Sequence, residues 1–304
     1  MQPFKIHILG CGSATPTLHH YPTSQIVEIN GKLFMVDCAE GTQLQIRKTR
    51  LSFTKIQAVF ISHIHGDHCF GLIGMISTFG LLGRTAPLHI YAPKELEKVL
   101  SLQLSLFCND LGYDVVFHEI NTTVHDVIYE DRSITIETIP LKHRLPCSGF
   151  LFREKQGLPH IRRDMLDFYD IPVSQINNIK CGADWITADG EHIPNESLVT
   201  PAAPPRSYAY CSDTAYLPEL HKVISCVDVL YHEATYAEDK MANAIKYQHS
   251  TARQAAQVAK AANAGKLLIG HFSSSYINEQ VLLNEAKEVF TETYLTNELQ
   301  VYSL

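Results

Sequence analysis

Apolar and polar positions alternate in short runs along this chain, and their period switches repeatedly between that of a strand and that of a helix. Phe4–Leu9 alternates and is partly β-branched, which predicts a strand, and Gly10–Ser13 predicts a turn after it. Gln25–Ile29 and Lys32–Val36 flank Asn30-Gly31, a pair that accepts two positive-φ residues, so these runs predict a hairpin. Gly41–Arg50 predicts a helix and Ile56–Ile61 a buried strand. Helical patterns follow at Leu72–Leu82 and Lys94–Phe107, then strands at Tyr113–His118, Ser133–Ile139 and Gly149–Arg153.

The pattern breaks at Glu154. From there to Arg206 apolar runs are few, Pro and Gly are scattered, and the stretch ends in Pro201-Ala202-Ala203-Pro204-Pro205. This composition predicts an inserted arm rather than core. Regular patterning returns with strands at Ser207–Cys211 and Val227–Tyr231, a helix at Thr251–Asn263, a strand at Lys266–Ile269 and a helix near Asn278–Phe290. Thr251 and Gln254 have capping-box spacing at the start of the first of these helices, and Gly265 lies past its end. No internal repeat at a fixed period is evident. The order of elements predicts two β-rich layers covered by helices.

One cluster of polar residues carries chemistry. Ser62-His63-Ile64-His65-Gly66-Asp67-His68 follows the apolar strand Ile56–Ile61 and precedes a helical run. Neutral imidazole and carboxylate are good zinc ligands. In an extended segment His63 and His65 point to one side. Gly66 permits a sharp turn, which carries Asp67 and His68 toward a second ion. Four residues do not saturate two ions, so further ligands are expected just past later strands, where functional loops concentrate. His143, Asp213 and His271 stand at such positions, although each taken singly is equally an ordinary surface or core residue.

Composition narrows the classes. The chain has 304 residues, 45% hydrophobic and 19% charged, enough for a substantial core without disulfide staples. A net charge of −7 gives no global basic signal for nucleic acid, so RNA contacts would come from local patches. The eight cysteines form no C-x-x-C pair, and neither a signal-peptide pattern nor an apolar run of membrane-spanning length is present. These features predict a soluble cytoplasmic protein with free, mostly structural thiols.

Taken together, the positions resemble the metallo-β-lactamase superfamily and, within it, the ribonuclease Z family of tRNA 3′-processing endonucleases. The resemblance runs from Lys5 to Tyr276. Leu9-Gly10-Cys11-Gly12-Ser13-Ala14-Thr15-Pro16-Thr17 is similar to that family's opening loop, and Val36-Asp37-Cys38-Ala39-Glu40-Gly41-Thr42-Gln43 to its second loop. His232-Glu233-Ala234-Thr235 and His249-Ser250-Thr251 match two further motifs of the family. In place of an Arg-Asn pair after the opening loop the chain has His19-His20-Tyr21-Pro22, and Ser212 stands where a Gly often precedes the Asp.

The resemblance implies an α/β fold, the αββα four-layer sandwich, as a single domain over residues 1–304 with an inserted arm at 154–206. It places His63, His65 and His143 on one zinc ion, Asp67, His68 and His271 on another, and Asp213 between them, hence two Zn2+ per chain. The implied activity is endonucleolytic removal of the 3′ trailer from precursor tRNA by a homodimer, with no membrane partner. Asp67 would orient or deprotonate the attacking water. His249, oriented and kept protonated by Glu233, would donate a proton to the leaving 3′-oxygen. Lys48, Arg50 and Lys55 before the metal strand, and Arg162 and Arg163 in the arm, are candidate phosphate contacts, and equally ordinary solvated charges. Two other readings share part of this pattern. One is a hydrolase of a small phosphodiester, sulfate ester or thioester. The other is a catalytically idle RNA-binding relative, against which the complete donor set argues.

Overall fold

The computed structural model describes residues 3–304. The chain opens with β1 (Phe4–Gly10), β2 (Ser24–Ile29) and β3 (Lys32–Cys38), an antiparallel meander. Asn30 and Gly31 close its second turn with φ of 53° and 79°. Helix α1 (Thr42–Lys48) then crosses back to β4 (Ile56–Phe60), which is parallel to β3. Short α2 (Gly66–Cys69), α3 (Leu72–Leu81), β5 (Leu88–Ala92), α4 (Lys94–Phe107) and β6 (Val115–Glu119) complete a parallel half-sheet.

The second sheet begins with β7 (Val127–Glu130), β8 (Ile134–Leu141) and β9 (Cys147–Glu154). The arm follows, with β10 (His160–Ile161), α5 (Arg163–Phe168), α6 (Ile176–Lys180), β11 (Trp185–Ile186), β12 (His192–Ile193), α7 (Asn195–Leu198) and β13 (Val199–Thr200). The chain re-enters the second sheet at β14 (Ser207–Cys211) and β15 (Val229–Glu233). It then forms α8 (Met241–Tyr247), α9 (Ala252–Ala261), β16 (Lys266–Gly270), α10 (Gln280–Lys287) and β17 (Thr293–Leu295). Finally β18 (Val301–Ser303) pairs with β1, which returns the C-terminus to the first sheet. The two large sheets have seven strands each, in the orders β18-β1-β2-β3-β4-β5-β6 and β17-β16-β15-β14-β9-β8-β7.

Period-two alternation sorts the first sheet's side chains into two cores. Leu33, Met35, Val59 and Ile61 pack with Leu72, Met75, Ile76, Phe79, Leu96 and Leu100 of α3 and α4. Phe34 and Phe60 point the other way and meet Phe150 and Phe152 of the second sheet, with ring centroids 5.5–6.3 Å apart. The second sheet's outer face is covered by α9 and α10. This is the four-layer arrangement that the motifs imply.

Several boundaries differ from the pattern. Tyr113 precedes its strand, because its buried hydroxyl donates to the Ile76 carbonyl, 2.7 Å away, and anchors the turn. The positive φ after α9 belongs to Asn263 (51°), not Gly265. Gly265 is needed for a different reason: a Cβ there would lie 2.6 Å from the Asp228 carbonyl oxygen. Thr251 and Gln254 do form the capping box. Strands β5, β7, β17 and β18 carry no distinct signal in the sequence.

The chain divides into two compact units. One comprises the residues up to Glu130 with Thr135–Arg153 and Arg206–Leu304, and the other comprises Asp131–Ile134 with Glu154–Pro205. The smaller unit is more ordered than its composition suggests. Ile171, Ile179, Ile193 and Leu198 form a core of their own, against which Met165, Leu166, Tyr169 and Trp185 pack. Among the described residues no helix is long and apolar enough to cross a membrane.

Candidate metal centre

Seven potential metal donors converge at the C-terminal ends of strands from both sheets of the larger unit, the usual place for a site in an α/β fold. After β4 the backbone stays extended through His65 (φ −66°, ψ 147°), and α2 begins at Gly66. A Cβ on Gly66 would stand 2.2 Å from the exposed Phe70 ring, which packs over the bare glycine at this turn. Asp67 and His68 therefore leave the chain from a helical turn, in a different direction from His63 and His65. On the second sheet His143 follows β8, Asp213 follows β14, and His271 follows β16 with φ of 60°. A positive φ on a non-glycine residue is strained and holds only where its surroundings enforce it.

The donors fall into two groups that share a carboxylate. His63, His65, His143 and Asp213 place one donor atom each within 4.8 Å of one another, and so do Asp67, His68 and His271. Asp213 Oδ2 lies 3.7 Å from both His63 Nε2 and His143 Nε2. Its other oxygen, Oδ1, lies 3.3 Å from His68 Nε2 and 3.1 Å from His271 Nε2. Asp67 Oδ2 stands 3.4 Å from His68 Nε2 and 3.7 Å from His271 Nε2.

Four histidines are held from behind through Nδ1, which turns Nε2 into the cluster. His63 Nδ1 meets Ser62 Oγ at 3.0 Å, and His68 Nδ1 meets Asp37 Oδ2 at 2.7 Å. His143 Nδ1 meets the Gln248 carbonyl at 3.1 Å, and His271 Nδ1 meets Thr235 Oγ1 at 2.9 Å. Such partners fix the tautomer and aim of a metal-binding imidazole. Asp37 is itself fully buried and accepts from Ser62 N and Oγ and from the Tyr210 hydroxyl.

The donor set fits cations. His68 Nε2 and His271 Nε2 are buried without a hydrogen-bond partner, a costly condition that a metal ion would relieve. Burial depresses the proton affinity of His63, His65 and His143, leaving the neutral imidazoles that ligation needs. Burial also disfavours a protonated His68, but Asp213, Asp37 and Asp67 outweigh it and raise its proton affinity. The cluster thus attracts positive charge at the point where a cation would sit.

His249 lies beside this cluster, its ring stacked on His271 with centroids 5.3 Å apart. Its Nδ1 is 2.8 Å from Glu233 Oε1. Glu233, the last residue of β15, is fully buried and accepts from the backbone N–H groups of Thr214 and Thr235 and from the Thr235 hydroxyl. Burial works against a charged His249, but the Glu233 carboxylate prevails and pushes its pKa up to about 9. His232 points to the opposite face by strand alternation and is a buried core residue, its Nδ1 2.7 Å from the Glu233 carbonyl.

Lys48, Arg50 and Lys55, named from sequence, do not gather here. The crossover from β3 to β4 carries Lys48, Arg50 and Lys55 progressively away from the C-terminal strand ends, and Lys55 precedes the far end of β4. The Lys48 ammonium lies 5.3 Å from the Tyr21 ring centroid. In the smaller unit Arg162 is committed to its own fold, donating to Asp164 at 2.7 Å and to the Ser197 carbonyl at 3.3 Å, while Arg163 begins α5. Sequence reasoning passed over Asp37, Tyr210, Thr235 and Gln248. Asp37 had a signal: a carboxylate inside the otherwise apolar run Leu33–Cys38.

Comparisons with known proteins bear on this geometry. Residues 4–158 match the family model described as Anti-Pycsar protein Apyc1. That match includes His63, His65, Asp67, His68 and His143 and stops before Asp213, Glu233, His249 and His271. Other similarities run the full length. Ribonuclease Z of Bacteroides fragilis is 56% identical over 304 residues, covering 100% of both chains. Ribonuclease Z of Bacteroides thetaiotaomicron is 56% identical over 298 residues, 98% of this chain and 94% of its own. Human tRNase Z, short form, superposes with a TM-score of 0.71 at 23% identity over 98% of each chain, a likeness of fold. With identity this high over its whole length, the chain belongs to the ribonuclease Z family, endoribonucleases of the metallo-β-lactamase fold.

Proposed function

We propose that this protein is a zinc-dependent endoribonuclease that cuts precursor tRNA at its 3′ end and removes the 3′ trailer. The observation that carries this reading is Asp213, whose two oxygens face two separate groups of imidazoles. His63, His65 and His143 would hold one zinc ion, Asp67, His68 and His271 the other, and Asp213 both. Bound there, the ions would supply a nucleophile from water at neutral pH and offset charge on the phosphodiester. Asp67 would orient or deprotonate the attacking water. His249 donates a proton to the departing 3′-oxygen. Glu233 keeps His249 charged and aimed, and Thr214 and Thr235 keep Glu233 in place.

The reading extends to the smaller unit as a grip on tRNA, with Arg162 and Arg163 on its surface, and to Lys48, Arg50 and Lys55 as distal contacts with the RNA backbone. It also includes a homodimer acting in the cytoplasm. Metal analysis of the purified protein should give close to two zinc ions per chain. Incubation with a precursor tRNA should give a single cut at the 3′ boundary of the mature tRNA. A protein that hydrolyses a small phosphodiester yet leaves precursor tRNA intact would replace this reading with that of a small-substrate hydrolase.

A further inference from the structure

Arg144, Lys246 and Tyr247 stand near the site and have no part in the chemistry above. Arg144 directly follows His143 in the chain. Tyr247 ends α8, two residues before His249, and the intervening Gln248 turns the chain with φ of 56°. The Arg144 guanidinium lies 5.9 Å from the Tyr247 ring centroid and the Lys246 ammonium 5.0 Å from the same centroid. Both cations are exposed. Neither has an acidic partner within ion-pair distance among the described residues, whereas other surface cations do, as in Lys94–Glu119, Arg162–Asp164 and Arg253–Glu288.

In a chain of net charge −7, two cations drawn to one ring without a carboxylate form a local positive patch against the overall charge. The ring's π face holds them weakly at an exposed position and leaves their charge free for an anion. A guanidinium can take a phosphate through two parallel N–H bonds, and an ammonium adds a point charge.

We propose that Arg144 and Lys246, positioned by Tyr247, form a phosphate-binding lip for the RNA nucleotide on the leaving-group side of the cut. This rests on the precursor-RNA reading above. The side follows from His249: the sugar whose 3′-oxygen it protonates lies against it, and Tyr247 is two residues away. The lip therefore grips the backbone of the retained tRNA end rather than the trailer.

The test compares wild type with the Arg144→Ala/Lys246→Ala double variant. The variant should raise KM for precursor tRNA about tenfold or more at unaltered metal content. Two lost contacts to single-stranded RNA, each worth a slope of about 0.7, should flatten the logarithmic salt dependence of binding by about 1.4. The loss on bis(p-nitrophenyl) phosphate, which has no second phosphate to grip, should be at least tenfold smaller. A precursor carrying a neutral methylphosphonate linkage 5′ to the last retained nucleotide should bind wild type less well, with no added penalty in the variant. Equal losses on RNA and the small diester overturn the proposal, as does an unmoved salt slope. So does a variant made insensitive to a neutral linkage on the trailer side instead. Filter binding of the same RNAs reads the lip even where wild type fails to cut, and that failure would count against the functional reading alone.

Discussion

Asp37 on the first sheet and Glu233 on the second are built alike. Each lies at or near the C-terminal end of a strand, each is fully buried, and each accepts hydrogen bonds from three groups besides a histidine. They differ in the histidine they hold. Asp37 holds His68, completely buried, with its Nε2 turned to Asp67 and Asp213. Glu233 holds His249, whose side chain keeps 11% of its surface open. The same device thus serves two ends. A sealed pair fixes an imidazole where a cation belongs, and a pair open on one side keeps a proton ready for something that arrives from outside.

Asp37→Asn should break the first of these most severely. An amide offers one accepting oxygen and places an NH2 against groups that already donate. The loss should be roughly 3–5 kcal/mol, the scale for opening a buried charged pair. His68 would lose its aim, so metal content should fall by about half or more, and activity with it. Glu233→Gln also leaves donors unmatched and should lose stability, but should keep its metal. Denaturant midpoints with metal analysis on both variants decide the matter. Equal metal loss from Glu233→Gln would mean that the two carboxylates share one role.

His249→Ala should come next in size. The rate on precursor tRNA should drop by roughly 10²–10⁴-fold, the scale of general acid catalysis, with both metals and RNA affinity kept. The defect should shrink on a nitrophenyl diester, whose leaving group needs little help from a proton. A variant equally impaired on both substrates would show that His249 acts on something other than the leaving group.

These two halves of the site also differ in how plainly the sequence announces them. His63, His65, Asp67 and His68 fall within six residues, because one extended segment and one helical turn deliver all four. On the second sheet each strand end contributes a single residue. His143, Asp213 and His271 each stand singly just past an apolar run, a pattern that many strands share, so their position made them candidates and only the family resemblance assigned them to the ions. The supporting residues were less legible still. Thr235 and Gln248 act through contacts between distant segments, which no local spacing encodes. The same holds for the fold. The long amphipathic helices and the Asn30-Gly31 hairpin follow from local chemistry. Strand β18 pairs only because Ser303 meets Lys5 across nearly the whole chain. In the smaller unit, Ile171, Ile179, Ile193 and Leu198 are too scattered in sequence to read as a core.

A third carboxylate–histidine contact asks whether the pattern by itself makes a site. His20 Nδ1 lies 3.0 Å from Glu298 and Nε2 3.2 Å from Glu279, and Glu298 also accepts from the Tyr21 N–H at 2.9 Å. This clamp ties the opening loop to the C-terminal segments. The Glu298 hydrogen bond raises the His20 pKa above its ordinary 6.5, against the opposing effect of burial. A raised histidine pKa means that the folded state binds the proton more tightly than the unfolded one. The resulting stability is fully present below pH 6.5 and is lost as pH rises through the folded value. His20→Gln should therefore lower stability by about 1 kcal/mol in mildly acidic buffer, the upper scale of a partly exposed ion pair, and by less in alkaline buffer. Urea midpoints at the two pH values read this difference. Metal content should match wild type, because none of the seven donors touches the clamp. A penalty that ignores pH would show that His20 matters for packing, and a loss of metal would show that the opening loop shapes the centre after all.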